Sequence, residues 1–146
     1  MAITSAVCTS FKVELLKAVH NFSASGGNTF KIALYTSSAS LGAATTAFST
    51  SNEISNTSGS AYSSGGATLT NIDPAAVSTT AVCDFSDVSF TSASFTANGA
   101  LIYNDTASGD PAVCVIAFGA DKTVTSGTFT NQFPAADASN AIIRLA

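Results

Sequence analysis

The stretch SASFTANGALIYNDTASGDPAVCVIAF, residues 92–118, decides the fold class because it combines strand-like runs with clear turn signals. Its last seven residues, AVCVIAF, are apolar almost throughout, which predicts a central strand that is covered on both faces. Asn98 and Gly99 lie between two strand-like runs, and this dipeptide is a strong signal for a β-hairpin. A bulge within one longer strand is the alternative.

Short strand-like runs also occur in the rest of the chain after residue 28. In the run 29–35, Phe30, Ile32 and Leu34 share one face of the predicted strand. Further runs are 67–72, 81–90, 127–133 and 140–146. Together they predict a single domain, 1–146, that is mainly β: an antiparallel β-sandwich or jelly-roll-like fold with one N-terminal helix and a long extended arm. Residues 67–146 form its β-rich core together with strand 29–35.

The N-terminal region contains the one convincing helical pattern of the sequence. Phe11, Leu15 and Val19 recur at helical spacing, which predicts a helix over residues 9–21 with an apolar stripe. His20, the only histidine, would lie at the end of this helix, where the helix dipole and free carbonyl groups favour it. We expect a structural role for His20, because no nucleophile motif accompanies it.

Residues 36–66 do not fit the strand pattern and are predicted to form an extended arm. An irregular segment of this length is uncommon within a compact domain, and its low content of charge and proline is not typical of disorder. The candidate interface residues of the arm are Phe48, Ile54 and Tyr62, as anchors for a neighbouring subunit. A local cluster within the same chain is the alternative. We expect a deletion of residues 37–64 to leave a foldable core but to abolish assembly.

Arg144 is the fourth candidate interface residue, because it interrupts the apolar C-terminal run AIIRLA. A buried arginine is rarely left unpaired. The side chain either extends to solvent from an edge strand or meets a carboxylate, with Asp137 and Asp121 as candidates. A salt bridge between Arg144 and a carboxylate of another subunit is the more specific alternative.

Composition narrows the classes of partner. Charged residues make up 10% of the chain, against roughly 25% in an ordinary domain. A surface of Ser, Thr and Asn can be covered by a neighbour at low desolvation cost. The net charge is −4 and no basic stripe occurs, so we expect no nucleic-acid partner. No apolar run is long enough to span a membrane, and no signal peptide is recognised, so we expect a product of the cytosol.

The sequence offers no recognisable catalytic or cofactor-binding motif, and we expect no enzyme activity and no cofactor. The P-loop, the G-x-G-x-x-G fingerprint and the G-x-S-x-G elbow do not occur. Cys8, Cys83 and Cys114 are odd in number and widely spaced, which favours small buried thiols over disulfides. A zinc site would need more ligands than these cysteines and His20 provide.

Two pairs of aspartates are candidates for a carboxylate pair or a cation site, but their spacing favours a structural role for both. Asp84 and Asp87 are three apart, so a regular strand places them on opposite faces. Asp105 and Asp110 bracket a loop, 104–110, whose oxygen atoms could hold a cation. Its spacing does not match a calcium-binding loop, so a plain hairpin loop is favoured.

Taken together, five segments resemble a family of small virion structural proteins encoded by tailed bacteriophages. The resemblance covers nearly the whole chain in order, and its C-terminal block is the most specific part. It implies a particle component without catalytic residues, made in the cytoplasm of the bacterial host and located in the virion. The segments are CTSFKVELLKAVHNF, TFKIALYTSSASLGAATTAFSTSNEIS, AYSSGGATLT, GALIYN and FGADKTVTSGTFTNQFPAADASNAIIRLA.

Within the particle, a head decoration (cement) protein is the leading hypothesis, by analogy with small β-rich trimers that sit over joints of the capsid lattice. The predicted partners are other copies of the chain, with a trimer favoured, and the major capsid protein. A tail component, such as a tube, adaptor or fibre-base subunit, is the alternative. A receptor- or glycan-binding module is less favoured because the chain has no Trp.

Overall fold

The computed structural model describes residues 1–55 and 61–146, and among these it shows one α-helix and eight β-strands. Residues 56–60, which belong to the predicted arm, lie outside the described residues. The predicted mainly β fold with one N-terminal helix is confirmed. The elements are β1 Ala6–Val7, α1 Thr9–Leu16, β2 Phe30–Tyr35, β3 Ala67–Thr68, β4 Asn71–Val77, β5 Thr80–Phe85, β6 Val88–Asn104, β7 Ala112–Asn131 and β8 Ile143–Leu145.

The strands form two antiparallel sheets with a shared apolar core. The larger sheet has the order β1-β7-β6-β2-β3 and the smaller one the order β4-β5-β8. Phe30 of β2 and Phe85 of β5 meet between the sheets, with ring centroids 5.7 Å apart, and Phe22 stacks on Phe30 at 4.3 Å. The two sheets thus pack as a β-sandwich-like domain.

Asn98 and Gly99 do not form a hairpin turn, so that prediction is wrong and the bulge alternative is correct. Both residues lie inside β6, where the register with β7 shifts between Ala97 and Gly99. A Cβ atom at Gly99 would lie 2.7 Å from Cγ2 of Ile3 and 2.8 Å from the carbonyl oxygen of Ile116. Glycine is therefore required here by the close approach of neighbouring chain segments. The hairpin turn is instead the segment 105–111.

The run Ala112–Phe118 is confirmed as an inner strand over its first half only. Ala112, Val113, Cys114 and Val115 are all buried, and β7 lies between β1 and β6 there. From residue 116 onward the side chains become partly or fully exposed, because β1 pairs only with Cys114 and Val115.

The predicted strand 67–72 is divided between the two sheets. Its first residues form β3, and its last residues begin β4, which continues to Val77. Pro74 therefore lies inside a strand. The register of β4 with β5 is irregular between Ile72 and Ala75, and β4 is an edge strand. Proline is tolerated at this position since an edge strand needs fewer backbone donors.

The helix is shorter than the predicted 9–21 and ends at Leu16. Ala18 adopts a left-handed conformation with φ of 58°. The N–H of Ala18 donates to the carbonyl of Leu15, and the N–H of Val19 donates to that of Glu14, at 3.1 and 3.0 Å. These two bonds form a Schellman motif, which terminates the helix before the last part of the apolar stripe.

The described part of the segment 36–66 folds back onto its own chain. Isolated bridges join Leu41 to Ile3, Ala47 to Pro111 and Glu53 to Tyr35. These contacts connect the segment to the N-terminal residues, to β2 and to the start of β7. For the described residues, contacts within the chain therefore order the predicted arm, as in the alternative of a local cluster.

Candidate interaction surface

Two of the predicted interface residues lie in the core of their own chain. Tyr62 is 0% exposed and Ile54 is 4% exposed. The Tyr62 hydroxyl donates to Oε1 of Glu53 at 2.6 Å and accepts the N–H of Leu34 at 2.9 Å. Ile54 also joins β2, through a bond from its N–H to the carbonyl of Leu34. Neither side chain is available as an anchor for a partner, so the alternative of a cluster within the chain is correct.

Glu53 organises this cluster. Besides the Tyr62 hydroxyl, it accepts hydrogen bonds from Oγ of Ser64 at 2.8 Å and from the N–H of Gly65 at 2.7 Å. Gly66 follows with φ of 77°, and a Cβ there would lie 1.8 Å from the carbonyl oxygen of Ile32. The carboxylate and the glycine together hold the end of the 36–66 segment against β2.

Phe48 is half-buried and also packs on its own chain. Its ring stacks on Tyr103 of β6, with centroids 4.5 Å apart. Its N–H donates to the carbonyl of Asp110, and the N–H of Ala112 donates to the carbonyl of Thr46. Phe48 thus seals the edge of the core beside the β6–β7 turn, which again agrees with the local alternative.

Arg144 is exposed and extends to solvent from the edge strand β8. It donates to the carbonyls of Ser139 at 2.6 Å and Ala138 at 3.5 Å. The proposed carboxylate partners are engaged elsewhere, since Asp137 accepts from residues 139 and 140, and Asp121 accepts from Asn98. Among the described residues Arg144 forms no salt bridge with either aspartate. Hydrogen bonds from Asn140 and Ser139 lower the pKa of Asp137, and the charge of Arg144 adds to this shift. A salt bridge between subunits stays a prediction.

His20 is buried beyond the helix end, in a saturated hydrogen-bond network. The amide nitrogen of Asn104 donates to Nδ1 of His20 and to Oδ1 of Asn28, both at 3.0 Å. The amide oxygen of Asn104 accepts the N–H groups of residues 106 and 107, which fixes its orientation. Nδ1 of His20 is therefore an acceptor, and Nε2–H donates to Oε2 of Glu14 at 2.9 Å. This network replaces the predicted contact with the helix end, and His20 has a structural role.

The two aspartate pairs do not form sites among the described residues. Asp84 is buried, and its pKa is raised by burial although the N–H groups of Phe85 and Ile142 oppose the shift. Asp87 is exposed and accepts the N–H of Phe133 at 2.8 Å. In the 104–110 loop, Asp105 pairs with Lys31 at 3.2 Å. The loop forms the turn between β6 and β7.

The three cysteines are free and buried. Burial raises the pKa of Cys8 to about 11 and that of Cys83 to about 12, and it raises the pKa of Cys114 as well. All three thiols are therefore protonated at neutral pH, which suits packing rather than nucleophilic or metal chemistry. Within residues 1–55 and 61–146, no group of three or more His, Cys, Asp or Glu side chains is placed to hold a metal ion.

An apolar groove with a volume of about 470 Å³ lies between α1 and the smaller sheet. One wall comes from α1 and the residues after it, and the other from β4, β5 and β8. The residues that form its walls include Phe11, Leu15, Ala18, Pro74, Val82, Ile143 and Leu145. We call it the α1–β8 groove.

Four large hydrophobic side chains of the elements that form the α1–β8 groove are exposed. Leu16, next to the lining residue Leu15, is 91% exposed, and Leu145 is 55% exposed. Val13 of α1 and Ile72 of β4 are also exposed. Exposed hydrophobic residues are normal when they are isolated and indicate an interaction surface when they form a contiguous patch.

Sequence reasoning missed this groove. The available signal was the pair Leu15–Leu16 in a short helix, because one narrow buried stripe accommodates only one of two adjacent leucines. The position of β8 beside the helix could not be read from the pattern.

Two further findings complete the description. No helix in the part of the chain that the structure describes is long and apolar enough to cross a membrane. In comparisons with known proteins, the chain matches no protein family, no curated protein and no solved structure.

Proposed function

We propose that the chain is a non-enzymatic structural protein of a tailed-bacteriophage virion, where it serves as a head decoration (cement) protein. The observation that carries the proposal is the apolar α1–β8 groove with its half-exposed lining residue Leu145, on a chain in which only 10% of residues are charged. An apolar surface gains free energy when it is covered, and the Ser, Thr and Asn side chains of a chain with so little charge cost less to desolvate than charged ones. The sequence resemblance to small virion structural proteins supports a location in the virion.

The polar chemistry of the chain supports a structural role. The groups that could act in catalysis are used in internal hydrogen bonds: His20 binds Glu14 and Asn104, and Glu53 binds Tyr62. Their geometry stabilises the fold and leaves the ring nitrogens of His20 engaged on both sides. This arrangement suits a protein whose role is to resist mechanical load.

The proposed partners are further copies of the chain, as a trimer, and the major capsid protein. A stable interface buries about 800 Å² on each partner, which one groove alone does not supply. Symmetric self-association multiplies the contacts that each assembly makes with the lattice and so raises its avidity.

Mass spectrometry and immunogold labelling of purified particles test the proposal. We expect the chain in virions of a phage that encodes it, with label distributed over the heads. Absence from purified particles would end the proposal, and label confined to the tail would assign the chain to the tube, adaptor or fibre base instead.

A further inference from the structure

Strand β7 bends sharply along its length. The rings of Phe118 and Phe129 have centroids 5.9 Å apart, although positions 118 and 129 would lie about 36 Å apart in a straight strand. The register of β6 with β7 shifts between Ala97 and Gly99, and Gly119 of β7 has a positive φ of 78°. The irregular register and the left-handed residue bend β7, so that side chains from its two halves meet.

A pocket of about 390 Å³ lies at this bend, between residues 116–122 and residues 129–133, and we call it the β7 pocket. Its apolar lining consists of Ile116, Phe118, Phe129 and Phe133. These side chains are partly buried and pack against the hydrophobic core, which holds them in place. Three aromatic rings around one small pocket favour a ligand with a flat apolar body.

One charged side chain lines the β7 pocket. It belongs to Lys122, and no Asp or Glu is among the described residues that line the pocket. The ion pairs among the described residues are His20–Glu14 and Lys31–Asp105, so Lys122 has no carboxylate partner there. The charge of the lining therefore favours an anionic ligand.

Two carboxylates lie near the β7 pocket without lining it. Asp121 accepts a hydrogen bond from Nδ2 of Asn98, and Asp87 accepts the N–H of Phe133, both at 2.8 Å. Both aspartates are exposed, so solvent and salt screen their charges. The sign of the ligand's charge is consequently the property that an experiment has to establish.

Asn131 contributes a hydrogen-bond donor. It lines the β7 pocket, and its Nδ2 is buried without an acceptor among the described residues. A buried amide donor that lacks a partner is rare and costs free energy. An oxygen atom of a ligand would supply the missing acceptor. An ammonium group and an amide donor together suit a carboxylate, which only accepts hydrogen bonds.

We propose that the β7 pocket binds a small molecule with a flat apolar body and one carboxylate group. The rings of Phe118, Phe129 and Phe133 cover the apolar body. The ammonium group of Lys122 pairs with the carboxylate, and Nδ2 of Asn131 donates to one of its oxygen atoms. This inference goes beyond the proposed function and does not depend on it.

An NMR titration of the purified full chain with naphthylacetate tests the proposal. We expect saturable shifts of backbone amide signals, confined to the vicinity of the β7 pocket, with a dissociation constant of about 1 mM or below. Naphthylacetamide is the neutral analogue and should bind about two- to fivefold more weakly. Naphthylethylamine carries the opposite charge and should bind most weakly. The preference for naphthylacetate should shrink with added salt.

Substitutions of the polar lining residues provide the matched variants. Lys122→Gln should weaken naphthylacetate by about two- to fivefold and leave naphthylacetamide unchanged. Asn131→Leu should weaken naphthylacetate by about tenfold, because a hydrogen bond to a charged group is lost. Lys12→Gln is the control, since it removes the same charge from an exposed position of α1 that does not line the pocket. The amide spectrum of each variant verifies that it is folded.

Any of three results would overturn the proposal. The first is a titration without saturable shifts around the β7 pocket. The second is binding of naphthylacetamide or naphthylethylamine that is as tight as that of naphthylacetate. The third is a Lys122→Gln variant that binds naphthylacetate as tightly as the natural chain. The titration uses no virus particle, so its outcome is distinct from the presence or absence of the chain in virions.

Discussion

At the scale of single residues, a substitution of Tyr62 tests whether the 36–66 segment belongs to the core or serves only in assembly. Its hydroxyl links the Glu53 carboxylate to the N–H of Leu34 inside the core. We expect Tyr62→Phe to lower the free energy of unfolding by about 1–3 kcal/mol, because both groups lose a buried partner. Urea denaturation measures the loss. Thr128→Val, which removes an exposed hydroxyl, is the control and should stay within about 0.5 kcal/mol. An unchanged stability of Tyr62→Phe would contradict the core role.

Ala18 holds the left-handed position of the Schellman motif that ends α1. A non-glycine residue in that conformation costs about 1–2 kcal/mol, and glycine avoids the steric cost at some loss of chain entropy. We therefore expect Ala18→Gly to raise the free energy of unfolding by about 0.5–1 kcal/mol. Ala75→Gly in the exposed strand β4 should have the opposite sign. Destabilisation by both substitutions would show that the helix does not end in this motif.

We expect the buried carboxyl of Asp84 to make the free energy of unfolding depend on pH, in a direction that its burial determines. Because the pKa of this carboxyl is raised in the folded chain, the folded state binds the proton more tightly than the unfolded state. The stabilisation that the Asp84 carboxyl contributes is fully present at a pH below its unfolded-state pKa of about 3.9. This stabilisation is lost as the pH rises through the higher pKa of the folded state. The free energy of unfolding of Asp84→Asn should therefore rise relative to that of the natural chain over this window. Urea unfolding between pH 3.5 and 7.5 measures the difference, and a difference independent of pH would refute the shift.

At the scale of elements, the segment 36–66 belongs to the core through Ile54, Tyr62 and the stacked ring of Phe48. Deletion of residues 37–64 should therefore abolish cooperative unfolding, which reverses the expectation from sequence. Thermal unfolding followed by circular dichroism measures this. Two glycines inserted in the exposed turn at Ser78 and Thr79 serve as the control and should be tolerated. A deletion variant that melts sharply would restore the interpretation of a separate arm.

Local patterns predicted the elements better than their ends and partners. The alternation around Phe30 and the apolar run at Val113 predicted strands correctly, because burial on a sheet imposes those patterns directly. The need for glycine at position 99 comes from the approach of Ile3, which is distant in sequence, and of the backbone at Ile116. Tyr62 was misassigned for the same reason, since its hydrogen bond to the N–H of Leu34 joins residues 28 positions apart.

At the scale of the whole molecule, the candidate interaction surface in the structure is the α1–β8 groove, whereas the sequence predicted the 36–66 segment. The composition predicted a surface that a neighbour can cover, and this expectation does not depend on which surface is used. The location of the groove requires the relative placement of α1 and β8, at opposite ends of the chain, which no local pattern encodes. Exposed Leu16 and Leu145 are the residues that identify it.

The most direct test of the central claim is a cryo-EM reconstruction of intact particles of a phage that encodes this chain. We predict the subunit on the outer surface of the head, with the α1–β8 groove covered by another protein and Tyr62 inside its own subunit. A particle without the subunit, or a subunit whose α1–β8 groove faces solvent while residues 36–66 grip the neighbour, would contradict the account.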